Sequence, residues 1–180
     1  VEKLTKKFIF NDPESLKYLL TKYHNKFAAV ILEPAGLIST SKSFLKSIRE
    51  LCNKHKVILI FDEVISGFRI DLRGAQKKYN VTPDLSCFGK GMANGYPISA
   101  IVGKRKIMKL MEKIFFSTTF GGDTVSITAA ITTIKKLKRL NIIDKNINYG
   151  KTLSSELNKI INSTKLKNNL EISKVYWWPR

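Results

Sequence analysis

Apolar positions along this chain come in two kinds of run, short unbroken blocks and longer stripes at helical spacing. The block at residues 27–32 stops at Glu33-Pro34, and the block at 57–61 stops at Asp62-Glu63. Blocks this short and this uniformly apolar predict strands buried on both faces. Asp12-Pro13-Glu14 opens a helix, with an acid as N-cap, proline at the first helical position and another acid in the first turn. Leu16, Leu19, Leu20 and Tyr23 follow at helical spacing. A second helix starts at Ser41 or Ser43 and places Phe44, Ile48, Leu51 and Cys52 on one face. Buried strand alternating with amphipathic helix is the pattern of a parallel α/β sheet.

The same reading predicts strands at 85–88 and 98–102, separated by a glycine-rich loop at 89–97. It predicts a short helix at 107–112 and a long one at 124–140 with Ile127, Ala130, Ile131, Ile134 and Leu137 inward. A further helix at about 148–161 turns Leu153, Leu157, Ile160 and Ile161 inward, and residues 170–180 read as the first strand of a following unit.

Composition refines this picture little. A chain of 180 residues with 43% apolar content suits one ordinary domain with a real core. No run of 18 apolar residues predicts a membrane span, and residues 1–7 have neither an initiator Met nor the apolar segment of a signal peptide. Cys52 and Cys87 lack metal-type spacing and read as buried, reduced thiols of a cytoplasmic protein. The net charge of +18 would suit a nucleic-acid partner, but the lysines are scattered in pairs such as Lys6-Lys7, Lys77-Lys78 and Lys135-Lys136. That scatter reads as compositional bias over solvated faces, with no nucleic acid and no membrane as partner.

Candidate chemistry sits where strands end. Ligands of open α/β sheets bind outside the carboxyl ends of the strands, and two charged residues stand there: Asp62 after the block at 57–61, and Lys90 just after the strand at 85–88. An unpaired charge beside a buried strand is expensive, so a shared site makes sense of both. The acid alone would also fit a nucleotide-hydrolase strand, but that needs a phosphate loop before it, and the chain has none. A structural ion pair between Asp62-Glu63 and Arg69 is the plain alternative. His24 and His55 read as surface histidines, and no metal site is expected.

Three ordered segments resemble the class III, pyridoxal-phosphate-dependent aminotransferases. The apolar strand followed by Asp62-Glu63-Val64 and Gly67-Phe68-Arg69 is the first. Pro83-Asp84-Leu85, Gly89-Lys90 and Gly95-Tyr96-Pro97-Ile98-Ser99-Ala100 form the second, and Thr119-Phe120-Gly121-Gly122-Asp123 the third. Glu33-Pro34 matches a further family element, and the resemblance covers most of residues 10–150. Within the family the sequence looks nearest to glutamate-1-semialdehyde 2,1-aminomutase and its aminotransferase-like relatives, although Asp123-Thr124 stands where the aminomutases have Asn-Pro. The resemblance implies a fold-type-I large domain, with Lys90 forming a Schiff base with pyridoxal phosphate. Asp62 would pair with the pyridine nitrogen and Val64 pack on one ring face. Thr119 would bond the phosphate of a neighbouring subunit in a homodimer. Gly89 and Gly91, flanking Lys90, read as points of close backbone approach to a ligand.

The family's chains are longer at both ends, so residues 1–147 are expected to be part of the large domain and 148–180 the connecting helix and the start of a small domain. The substrates implied are a small amino donor and an aldehyde or keto acceptor, or an internal amino shift for a mutase. This piece alone is expected to bind cofactor poorly and to turn over little.

Overall fold

Capping side chains set the first two helices. Asp12 accepts from the Glu14 and Ser15 N–H groups at 3.0 and 3.3 Å to start helix α1, Pro13–Lys22. Ser41, rather than Ser43, accepts from Phe44 N–H at 3.0 Å to start α2, Lys42–Lys54. Both satisfy donors that a helix start leaves without partners. The computed structural model describes residues 2–36 and 38–179.

Four strands make one sheet in chain order: β1 Ala29–Leu32, β2 Ile58–Glu63, β3 Leu85–Phe88 and β4 Ala100–Gly103. The first three are parallel, as the alternation predicts, and β4 runs antiparallel to β3. The loop between β3 and β4 is too short to carry a crossover helix, so the chain reverses instead. Leu16 and Leu20 of α1 and Phe44, Leu45, Ile48 and Cys52 of α2 bury against Val30, Leu32, Leu59 and Phe61. Each such side chain contributes roughly 2 kcal/mol of apolar burial.

The other face differs from expectation. Ile31 is 58% exposed and Ile101 46% exposed, while Ile60, Leu85 and Cys87 on the same face are only half-buried. β1, β2 and β3 are therefore buried on one face rather than two, because α1 and α2 both lie on the same side, and β4 is buried on neither. Cys52 is buried as expected, but Cys87, on the open face, is not.

Asp84, just before β3, ties together the amino ends of β2 and β3 and the carboxyl end of β4. Its N–H donates to Leu59 C=O at 2.8 Å while its Oδ2 accepts from Leu59 N–H at 2.8 Å. Oδ2 also accepts from Arg49 Nη1 of α2 at 2.8 Å, and Lys104 pairs with Oδ1 at 2.6 Å and donates its own N–H to Asp84 C=O at 3.0 Å. Burial by itself would raise this carboxyl, but the Leu59 N–H, Lys104 and Arg49 together hold it below its ordinary value.

Several elements fall elsewhere than the periodicity places them. Helix α3, Gly74–Tyr79, has no stripe to announce it. The expected helix at 107–112 is α4, Arg105–Met108, running into a 3-10 turn at Lys109–Lys113. Helix α5, Thr124–Leu140, has the expected bounds but buries Ser126 and Ala130, leaving Ile127 and Ile131 largely exposed. Its small side chains let it sit close to Phe88, Met92 and Ala93, which rotates the stripe away from the contact. Helix α6, Ile142–Asn162, starts six residues early because Asn141 takes a left-handed conformation that ends α5 and begins α6 with no loop between. It buries Ile143, Gly150 and Ser154, while Leu153 and Ile160 face out and Leu157 and Ile161 are half-buried. It runs unbroken through positions 147 and 148. Residues 171–179 form no strand; Val175 is buried and Trp177 packs with Ala35, Ile70, Ala75 and Tyr79. Among the described residues no helix is long and apolar enough to cross a membrane.

Replacing Asp84 by Ala leaves the Arg49 guanidinium and the Leu59 N–H buried without a partner, and should cost about 3 kcal/mol in urea unfolding. Because the folded-state value is lowered, the stabilisation from Asp84 is complete above the carboxyl's ordinary 3.8 and is lost as pH falls below it. Asp84→Asn should flatten that acid limb; an unchanged limb would show that another group causes it.

Candidate functional site

Parallel pairing brings the two candidate residues to the same end of the sheet. Asp62 is the penultimate residue of β2 and pairs in register with Cys87 of β3, so both point to the open face. Its Oδ1 accepts from Val64 N–H at 3.1 Å, which folds the chain back at the strand end and holds Val64 beside it. Lys90 follows β3 after one glycine and opens a 3-10 turn, Lys90–Met92, closed by Met92 N–H to Gly89 C=O at 2.9 Å. Its φ of 40° lies in the left-handed region, a costly conformation for a lysine. The Lys90 side chain is exposed and has no hydrogen bond or ion pair among the described residues.

Val64 lies next to this turn. A Cβ added at Gly89 would stand 3.6 Å from Val64 Cγ1, and one at Gly91 would stand 3.5 Å from Arg69 Nε. Gly89 is extended at φ −172°, a conformation open to any residue. The chain's own atoms therefore demand glycine at neither position. Cys87 beside Asp62 has its thiol pushed up by burial and then by the Asp62 charge, so it is held protonated.

Glu63 does something different from its neighbour. It is fully buried on the helix side, where Oε2 accepts from Ala75 N–H at 2.6 Å and from Ser66 Oγ at 3.2 Å. Burial raises its carboxyl above the ordinary value, against the pull of those donors. Its bonds hold α3 and the segment 64–75, so the expected pairing of Asp62-Glu63 with Arg69 gives way to this local clamp. Gly67 lies over the Phe88 ring, where an added Cβ would collide with that ring and with Glu63 C=O. Thr119 lies in the exposed segment 114–120, and the structure joins it to none of Asp62, Val64 or Lys90 by a hydrogen bond. His24 is exposed and His55 half-buried, their rings 6.3 Å apart, and among the described residues no group of His, Cys, Asp and Glu could hold a metal.

Asp84 stands in the sequence only as part of a motif, and Glu63 only as a candidate partner of Arg69. The available signal was an acid directly beside a buried strand in each case. Only the structure shows that these two face inward as anchors while Asp62 faces the open side.

Residues 3–170 match the family model described as aminotransferase class-III. The chain belongs to the class III aminotransferases. It is 42% identical over 161 residues to the 3-aminobutyryl-CoA aminotransferase of Cloacimonas acidaminovorans, covering 86% of this chain and 39% of that protein. It is 39% identical over 143 residues to the glutamate-1-semialdehyde 2,1-aminomutase of Desulforamulus reducens, covering 76% of this chain and 33% of that protein. Among solved structures it resembles the FumI protein of a Sphingopyxis species in its PLP internal aldimine form, with TM-score 0.84 and 28% identity over 93% of this chain and 41% of that one. An omega-transaminase from Sphaerobacter thermophilus gives TM-score 0.79 at 29% identity, over 86% of this chain and 37% of that one. This class III aminotransferase chain thus has the large-domain fold of PLP-dependent transaminases and spans about two-fifths of the length of these relatives.

The turn that carries Lys90 depends on the close seat of Phe88 under Gly67. Gly67→Ala should destabilise the chain by about 2 kcal/mol through overpacking. Thermal unfolding should show a lowered midpoint; an unchanged midpoint would mean that the turn at 64–69 yields freely.

Proposed function

We propose that this chain carries the lysine-bearing half-site of a pyridoxal-phosphate-dependent aminotransferase, with Lys90 as the attachment point of the cofactor. The observation that supports it is the placement of an unpartnered Lys90, in a left-handed turn, at the strand end adjoining Asp62. The residues present fit the group: an amine free for Schiff-base formation, a carboxylate suited to a protonated ring nitrogen, and an apolar side chain between them. Gly89 and Gly91, not demanded by the chain's own packing, leave room beside the lysine. When bound, pyridoxal phosphate supplies an electron sink for a carbanion at the substrate carbon.

Asp62 holds the proton on the ring nitrogen, and its bond from Val64 N–H fixes the carboxylate for that task. Val64 would pack against the bound ring and keep water from it. The Lys90 amine would hold the cofactor and, when free, would move a proton at the substrate carbon. Thr119, exposed and unengaged, serves the phosphate in a partner subunit of a homodimer. Substrates are a small amino donor and an aldehyde or keto acceptor. A cytoplasmic setting suits the two free cysteines. The likeness to aminomutases supports a second reading, internal amino transfer in glutamate semialdehyde.

Borohydride reduction of the chain with sub-stoichiometric pyridoxal phosphate, followed by peptide mass spectrometry, tests the attachment. Label should concentrate on the peptide with Lys90, and Lys90→Ala should lose it. Label spread evenly over surface lysines, unaffected by that substitution, would overturn the assignment.

A further inference from the structure

On the helix-covered side of the sheet, away from the face that bears Asp62, a second cleft opens between the turn at 68–69, Gly91, α5 and α6. Its volume is about 370 Å³, within the range of small-ligand sites. Every charged group in its lining is a cation: Arg69 and Lys136. Asn94, Asn146 and Thr133 add polar side chains, and none of these five makes a side-chain hydrogen bond or ion pair among the described residues. Phe68, Leu137 and Trp177 supply an apolar wall. Arg69 is half-buried, a Cβ added at Gly91 would stand 3.5 Å from its Nε, and no acid pairs with it among the described residues.

Two cations that face one apolar-walled cleft with no carboxylate in its lining offer charge-assisted donors to an anion. We propose that this cleft binds a small carboxylate carried on an aromatic or aliphatic body. The carboxylate meets the Arg69 and Lys136 donors, and the body lies on Phe68, Leu137 and Trp177. The positive field of a chain with net charge +18 favours the same sign of ligand. The inference does not rest on the cofactor reading, since it uses neither Lys90 nor Asp62.

Titration of the intact chain with benzoate, read by tryptophan fluorescence, tests it, because Trp177 lines the cleft. The expected result is a saturable change absent with uncharged benzamide and absent in Trp177→Phe. Arg69→Gln and Lys136→Gln should each weaken benzoate binding about tenfold, the loss of one charge-assisted contact. Lys135→Gln, the same charge change one residue away on an exposed face, should leave it unaltered. Lys136 is itself exposed, so its substitution keeps the test sound should Arg69→Gln misfold. Equal response to benzamide, or equal weakening in Lys135→Gln and Lys136→Gln, would overturn the site.

Discussion

The register of the sheet hangs on Asp84. Its backbone and side chain grip both polar groups of Leu59, and its carboxylate draws in Arg49 from α2 and Lys104 beyond β4. A slip of one residue between β2 and β3 would turn every side chain of a strand to the other face. Asp62 would then point into the helix-covered core and Glu63 outward, reversing anchor and site. The clamp at the amino ends of β2 and β3 thus decides which acid faces the open side at their carboxyl ends.

The two neighbouring acids show how burial separates roles within one motif. Glu63 is enclosed, bonded to Ala75 N–H and Ser66, and keeps the return segment closed. Asp62, one residue back on the opposite face, spends one oxygen on Val64 N–H and faces the side that no helix of this chain covers. Lys90 stands on the next strand end in a conformation that costs energy for a lysine, and among the described residues its side chain forms no bond to offset it. The 3-10 turn closed by Met92 N–H to Gly89 C=O carries that conformation.

Much of this was legible in the chain. Unbroken apolar blocks gave the parallel strands, and caps at Asp12 and Ser41 gave two helix starts. Asp62, Val64 and Lys90 could be singled out because each belongs to an ordered motif at a strand end. What periodicity could not supply was which neighbour a face meets. Ile127 and Ile131 form a stripe as regular as any, yet α5 turns Ala130 inward because only a small side chain lets it approach Met92 and Ala93. Ile31 sits in an unbroken apolar block, yet no helix of this chain lies over it. Helix α3 depends on a buried glutamate rather than on its own pattern, and Asn141 joins two helices where a loop was the simpler expectation.

In the proposed site, Asp62 serves the ring that Lys90 holds. With pyridoxal phosphate labelled at its ring nitrogen and fixed on Lys90 by reduction, the nitrogen-15 chemical shift followed against pH measures that link without relying on affinity or turnover. The nitrogen should stay protonated to a higher pH in the unmodified chain than in Asp62→Asn. Coincident titration curves for the two would contradict the pairing of Asp62 with the ring nitrogen.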